Sequence, residues 1–236
     1  MSESEKLLGI FAGRPNRYRL LDSGFKKWMA YNEGTGTDSF LEVGCACGDG
    51  AAHISTTYNV EVVGLDCCAS LVEEAIKHHG AKADNRILRF CYGKAEDIPF
   101  PDSYFTGIVM EASFSPLLNK HEAAHEFYRV LKSKGRLLLN DFAIKTSGNK
   151  KNNSSVIPCL HGVESMDNYD KILHNAGFST LHRSEKFMEL VSIIFWLTSN
   201  LNANQEDSEM IRLLHLMKDV PIDTKLTYCQ MVFEKG

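Results

Sequence analysis

The chain has no strong excess of charge of one sign. Its 26 lysines and arginines stand against 30 aspartates and glutamates, a formal net charge of -4, so no general field draws it to nucleic acid or an anionic membrane. It has no long apolar run either. The most apolar stretch, Phe187 to Leu197, is interrupted by Glu189 and is too short to cross a bilayer. The first residues, Met1 to Lys6, are polar and acidic, and no apolar leader follows them. The seven cysteines are odd in number in a chain of 236 residues, large enough to fold without staples, which argues against a secreted disulfide framework. Internal repeats are absent. The expectations are a cytoplasmic location and no nucleic-acid or membrane partner.

What is present is alternation. Hydrophobic residues make up 44% and charged residues 24%, ordinary for a soluble globular enzyme. Short apolar runs at Ser39–Val43, Val60–Leu65, Arg86–Cys91, Thr106–Met110 and Arg136–Phe142 read as strands. Helical patterns at Asp49–Tyr58, Ser70–His79 and Lys120–Lys132 separate them. Ser70 and Glu73 have the spacing of a capping box, with an apolar face of Leu71, Val72, Ala75, Ile76 and His79 behind them and Gly80 as a stop. Lys134-Gly135 turns the chain into the strand that follows. Strand–helix alternation predicts an α/β fold with a parallel sheet covered on both faces. Further on, Asp167–Asn175 reads as a helix, Phe178–His182 and Thr224–Phe233 as strands, and Lys186–Lys218 as a helical insertion before the last strand. The polar stretch Lys145–Ser155 reads as a mobile loop.

The strand Phe40–Gly44 runs into a glycine-rich turn that opens a helix. Glycines there permit positive φ and close approach of backbone to a ligand. The next helix presents unpaired amides. The second strand ends at Asp66, where a carboxylate can accept both hydroxyls of a ribose. A dinucleotide fingerprint beginning at Gly44 would need glycines where Ala46 and Asp49 stand. The glycines fall instead at 44, 48 and 50.

The segment Glu42-Val-Gly44-Cys-Ala46-Cys-Gly48-Asp-Gly50 resembles the first motif of class I S-adenosylmethionine-dependent methyltransferases. Four further segments match in order: Val62–Asp66, Tyr92–Asp102, Phe105–Glu111 and Glu126–Leu137. The resemblance covers residues 38–145 well and the remainder loosely. It implies a Rossmann-like, mostly parallel seven-stranded sheet with helices on both faces, in a single domain over 1–236. The cofactor half would be 38–145, and an acceptor-side loop and helical insertion would occupy 145–220. By the same resemblance the cofactor is S-adenosylmethionine, leaving as S-adenosylhomocysteine. Asp66 would hold the ribose, with Cys67 beside it, and Ala95 would offer its amide to adenine next to Glu96. Glu42, Gly44, Cys45, Ala46 and Gly48 would form the turn beneath the cofactor, and Glu111 would face its methionine end. The sequence departs from the family at Ala46, a glycine in most members, at Lys94, often an aspartate contacting adenine, and at Thr106.

Three other features compete for a role. His121-Glu-Ala-Ala-His125 is a literal H-E-x-x-H, but its histidines point away from the apolar face of Ala123, Ala124, Phe127 and Leu131. They are expected at the surface, with no metal. Cys45, Cys47, Cys67 and Cys68 gather where two neighbouring strands end, as a metal or redox site or as small apolar lining. Ile157–Gly162 resembles a segment of arsenite methyltransferases in which a cysteine helps to bind arsenic, but Glu111-Ala112-Ser113 lacks the second thiolate. Cys159 and His161 then face a different acceptor, or Cys159 is a buried small residue. The apolar helix from Phe187 to Leu197 is core, a cap on the acceptor pocket, or a homodimer face. The expected function is methyl transfer to a small-molecule acceptor. The alternatives are cofactor binding without turnover, as a sensor or scaffold, and an NAD-dependent oxidoreductase.

Overall fold

The computed structural model describes residues 16–29, 38–80, 87–145, 161–200 and 226–236. In chain order the elements are α1 (Tyr18–Met29), β1 (Ser39–Val43), α2 (Asp49–Tyr58), β2 (Glu61–Asp66), α3 (Ala69–His79), β3 (Leu88–Tyr92) and β4 (Phe105–Glu111). There follow α4 (Lys120–Val130), β5 (Leu131–Ile144), α5 (Met166–Asn175), β6 (Phe178–Glu185), α6 (Phe187–Asn200) and β7 (Leu226–Lys235). The strands form one seven-stranded sheet in the order β3-β2-β1-β4-β5-β7-β6. β1 to β5 pair in parallel, and β7 inserts antiparallel between β5 and β6. The expected mostly parallel, Rossmann-like sheet is what forms.

Alternation along the strands sorts the core into two layers. Leu41, Val43, Val63, Leu65, Ile108, Met110, Leu137 and Leu139 pack with α4 and α5 on one face. Phe40, Val62, Leu88, Val109, Leu138 and Val232 pack with α1 and α2 on the other. The central strands are buried on both sides, so they read as continuous apolar runs. α1 is the element that the strand–helix reading above does not contain. Its Leu21, Phe25 and Trp28 recur at helical spacing and are buried. Each contributes roughly 1.5–3 kcal/mol by burial. Trp28 lies over Gly107 so closely that an added methyl there would fall inside the indole ring. Gly107→Ala is expected to displace α1 at a cost of about 1–3 kcal/mol, read as a lowered urea midpoint with loss of tryptophan burial.

Several local expectations change. α3 begins at Ala69, its N-cap is Cys68, and no side chain caps it, so Ser70 and Glu73 do not form a capping box. Ser70 instead pairs its hydroxyl with Cys68 Sγ at 3.2 Å. Ile76 is half exposed, because only Leu71, Val72 and Ala75 of that helix reach the sheet layer. β5 starts at Leu131, before the turn expected at Lys134-Gly135. The turn survives as a register shift in the β4 pairing, with Lys134 at φ 63. The helical insertion is α6 over Phe187–Asn200, and the stretch from 201 onward lies outside the described residues until 226. The polar loop lies outside them from residue 146, as does Cys159.

Candidate active site

Strand β1 delivers Glu42 and Gly44 to the carboxyl edge of the sheet, where ligands bind in open α/β folds. The turn that follows is held by backbone: Gly44 N and Cys45 N both donate to Leu65 O, at 2.8 and 3.1 Å, and Gly48 N donates to Cys45 O at 2.8 Å. Gly44 (φ 77) and Gly48 (φ 80) are left-handed. Ala46 is left-handed too, at φ 47. That is the position where the resemblance has glycine, and the alanine keeps the glycine-like backbone at some cost in strain.

Asp66 ties this turn to the end of β2. Its Oδ2 accepts from Ala46 N and its Oδ1 from Cys68 N, each at 2.9 Å. Each oxygen keeps further accepting capacity for a ligand. Gly93 N donates to Asp66 O at 3.0 Å, which brings the third loop alongside. The charge of Glu96 reaches the Cys67 thiol, so Asp66-Cys67 and Ala95-Glu96 meet in space. Ala95 is buried and Glu96 half buried. This loop is anchored from behind by α4. Arg129 donates to Ile98 O (2.9 Å), Phe100 O (2.8 Å) and Asp102 (2.9 Å), while Glu126 accepts from Ile98 N (2.8 Å) and pairs with Arg129. The E-x-x-R pattern at 126–129 is therefore a clamp on the loop that carries Ala95 and Glu96.

Glu42 is buried, and its Oε2 is one of two buried side-chain oxygens or nitrogens without a hydrogen-bond partner among the described residues. Burial, and then the charge of Glu111, push its carboxyl up to about 8 against the pull of the Ala51 amide. A methyl on Gly50 would fall on Glu42 Oε1, so glycine there leaves the carboxylate its room. Glu111, at the end of β4, is half buried. An orphaned buried carboxylate oxygen facing a glycine-built turn fits a ligand ammonium group, and Asp66 fits a ribose diol. Among the described residues, then, those present suit an amino-acid nucleoside such as S-adenosylmethionine.

The remaining candidates separate. Burial pushes the Cys45 and Cys91 thiols up, aided at Cys45 by the Glu42 and Asp66 carboxylates. Burial and Glu74 push Cys47 to about 11. Burial also raises Cys67. Protonated thiols are poor nucleophiles and ligands. Cys47 Sγ donates to Glu74 Oε2 at 3.3 Å. Among the described residues no group of three or more His, Cys, Asp or Glu is disposed to hold a metal. His121 and His125 are exposed, as their helical phase requires. His161 is exposed, and its neighbour Gly162 lies beside Ser115 O and Lys120 Nζ, next to the β4–α4 loop. Glu189, the charge that interrupts the apolar stretch, is buried and pairs with Arg19 of α1 at 3.0 Å. α6 itself buries Leu190 and Ile193 and exposes Phe187, Met188, Val191 and Phe195.

Sequence reasoning missed two contributors. α1 brings Tyr18, whose hydroxyl donates to Asp49 O at 3.1 Å, and Arg17, which pairs with Asp49 at 3.2 Å, over the start of α2. The spacing of Leu21, Phe25 and Trp28 was the available signal. Asp141 is the other, an aspartate inside the apolar run of β5.

A seven-stranded α/β sheet with β7 antiparallel between β5 and β6, and an acid at the end of β2 beside a glycine turn, defines the class of fold. A family model described as a methyltransferase domain matches residues 41–139. Over that stretch, less than half of the chain, the protein is similar to methyltransferase domains. It is 33% identical, over 49% of its length and 48% of the other protein's, to 2-phytyl-1,4-naphtoquinone methyltransferase of Synechocystis. The chain spans between 30% and 64% of the length of the curated relatives it matches. A putative sarcosine dimethylglycine methyltransferase from Galdieria sulphuraria superposes with a TM-score of 0.82 at 15% identity, covering 100% of this chain and 99% of that one. The [4+2]-cyclase SpnF superposes at 0.74 and 16% identity, covering 92% of this chain and 80% of that one. At such identities these structures share the fold alone.

Proposed function

We propose that this protein transfers a methyl group from S-adenosylmethionine to a small-molecule acceptor in the cytoplasm. The observation that carries the reading is the Asp66 carboxylate, which clasps the glycine turn and the β2 loop by their amides and retains accepting capacity toward the cofactor edge. No helix among the described residues is long and apolar enough to cross a membrane. When bound, the cofactor supplies an electrophilic methyl on a sulfonium, which needs alignment and dryness more than acid–base help. Asp66 receives the ribose hydroxyls, Glu42 the ammonium and Ala95 N the adenine. The β4–α4 loop and Glu111 bound the methionine end. The acceptor enters from the carboxyl edge, on the side where Gly162 approaches Ser115 and Lys120, and His161 is placed to meet it. A base is needed only for an acceptor that arrives protonated.

Thermal shift separates the readings. S-adenosylhomocysteine is expected to raise the melting midpoint and NADH to leave it unchanged; the reverse would move the protein to the oxidoreductases. Formation of S-adenosylhomocysteine from S-adenosylmethionine over a panel of small hydroxyl, phenol and amine acceptors then tests turnover. Cofactor binding without methyl transfer is the second reading, since the same fold also occurs in a protein named as a cyclase. Silence across the panel with tight cofactor binding would support it.

A further inference from the structure

Asp141 lies in β5 and is completely buried. All four of its close partners are donors. Oδ2 accepts from Phe114 N (2.7 Å) and Ser115 N (2.9 Å), and Oδ1 accepts from Ser115 Oγ (2.8 Å) and Phe142 N (2.7 Å). Three of the four belong to the loop between β4 and α4. That loop is held at two more points. Ala112, left-handed at φ 53, donates its amide to Asn140 O at 2.8 Å. Ser113 Oγ donates to Val43 O at 2.7 Å, and the Ser113 side chain fills the space that a side chain on Gly44 would need. Residues 112–115 thus span from β5 to β1 across the carboxyl edge and press on the first glycine of the cofactor turn.

A carboxylate is the one side chain suited to this place. Burial pushes its carboxyl up to about 6, but the four donors keep it ionised at neutral pH. An asparagine in its stead would turn an amino group toward donors on one side or the other, leaving buried amides unpaired. A carboxylate so thoroughly enclosed does not touch solvent, and within a fold held by large apolar layers it is costly unless it organises something. What it organises is the loop against Gly44.

We propose that Asp141 is a positioning residue: through the 112–115 loop it sets the wall against which the methionine end of the cofactor is seated. The proposal rests on the cofactor site described above, and the two can fail separately. S-adenosylhomocysteine affinity by titration calorimetry and the melting midpoint of the ligand-free protein are measured for the wild type, Asp141→Asn and Leu173→Ala. Leu173 is buried in α5, outside the 112–115 loop, and its truncation destabilises without removing a hydrogen bond of that loop. Asp141→Asn is expected to raise Kd at least tenfold, while Leu173→Ala, with a comparable loss of midpoint, changes it less than twofold. Equal changes in the two variants, or a Kd within twofold of wild type for Asp141→Asn, would assign Asp141 to stability alone. If Asp141→Asn does not fold, Ser115→Ala decides, since it removes the hydroxyl that donates to Asp141 Oδ1: about a threefold rise in Kd supports the proposal and no change overturns it. Failure of the cofactor site shows differently, as no binding of S-adenosylhomocysteine to the wild type at all.

Discussion

Asp66→Ala is expected to weaken S-adenosylhomocysteine binding by about 100-fold or more. Hydrogen bonds to a charged acceptor are worth roughly 1.5–3 kcal/mol each, and a ribose diol makes two. The substitution also frees Ala46 N and Cys68 N, the two amides that hold the glycine turn against the β2 loop. Both losses fall on the ligand-bound state, because an empty turn can relax toward water. Asp66→Asn keeps one accepting oxygen and is expected to lose about tenfold. Calorimetric titration of both variants measures it. An Asp66→Ala protein that binds as tightly as wild type would remove Asp66 from the site, whatever the fold.

Proton release on cofactor binding is the second large effect. With its carboxyl raised to about 8 by burial and Glu111, Glu42 holds a proton at pH 7 in the ligand-free protein. A ligand ammonium beside the unpartnered Oε2 favours the ionised form. Binding at pH 7 is therefore expected to release about one proton, seen as a binding enthalpy that varies with the ionisation enthalpy of the buffer. Affinity rises by up to about tenfold per pH unit below 8 and levels above it. Glu42→Gln abolishes both signals, and their absence from the wild type would place the ammonium elsewhere. The ligand-free protein shows the opposite trend. A carboxyl raised in the folded state stabilises fully below its unfolded value of 4.5 and loses that contribution as pH rises through about 8. Asp141, raised to about 6, acts with the same sign, but its window closes near pH 6. Between pH 6.5 and 8.5 the falling midpoint belongs to Glu42, and Glu42→Gln flattens it.

Much of this site was legible as sequence because its chemistry is local. A glycine turn after an apolar strand, an acid at the end of the next strand and an E-x-x-R on a helix each require particular residues within a few positions. Their order along the chain carries the topology, since right-handed crossovers leave few arrangements for alternating strands and helices. Neither the capping box nor the turn at 134–135 held in the form expected, because helix starts and strand starts answer to neighbours. Cys68 takes the cap position of α3, and β4 recruits Leu131 into β5 before the chain turns.

The sequence alone determined the fold class, the kind of cofactor and the glycine turn after β1. Tertiary structure decided the rest. Glu42 could be placed at the turn from its motif, but its raised carboxyl depends on Glu111 arriving from another strand and on the exclusion of water. The cysteines could be counted, but their protonation followed from the burial and the carboxylates around them. Asp141 and the 112–115 loop are neighbours only because β4 and β5 lie side by side. Desolvation and long-range contact have no signature in a window of sequence, and around Glu42 and the 112–115 loop they set the geometry.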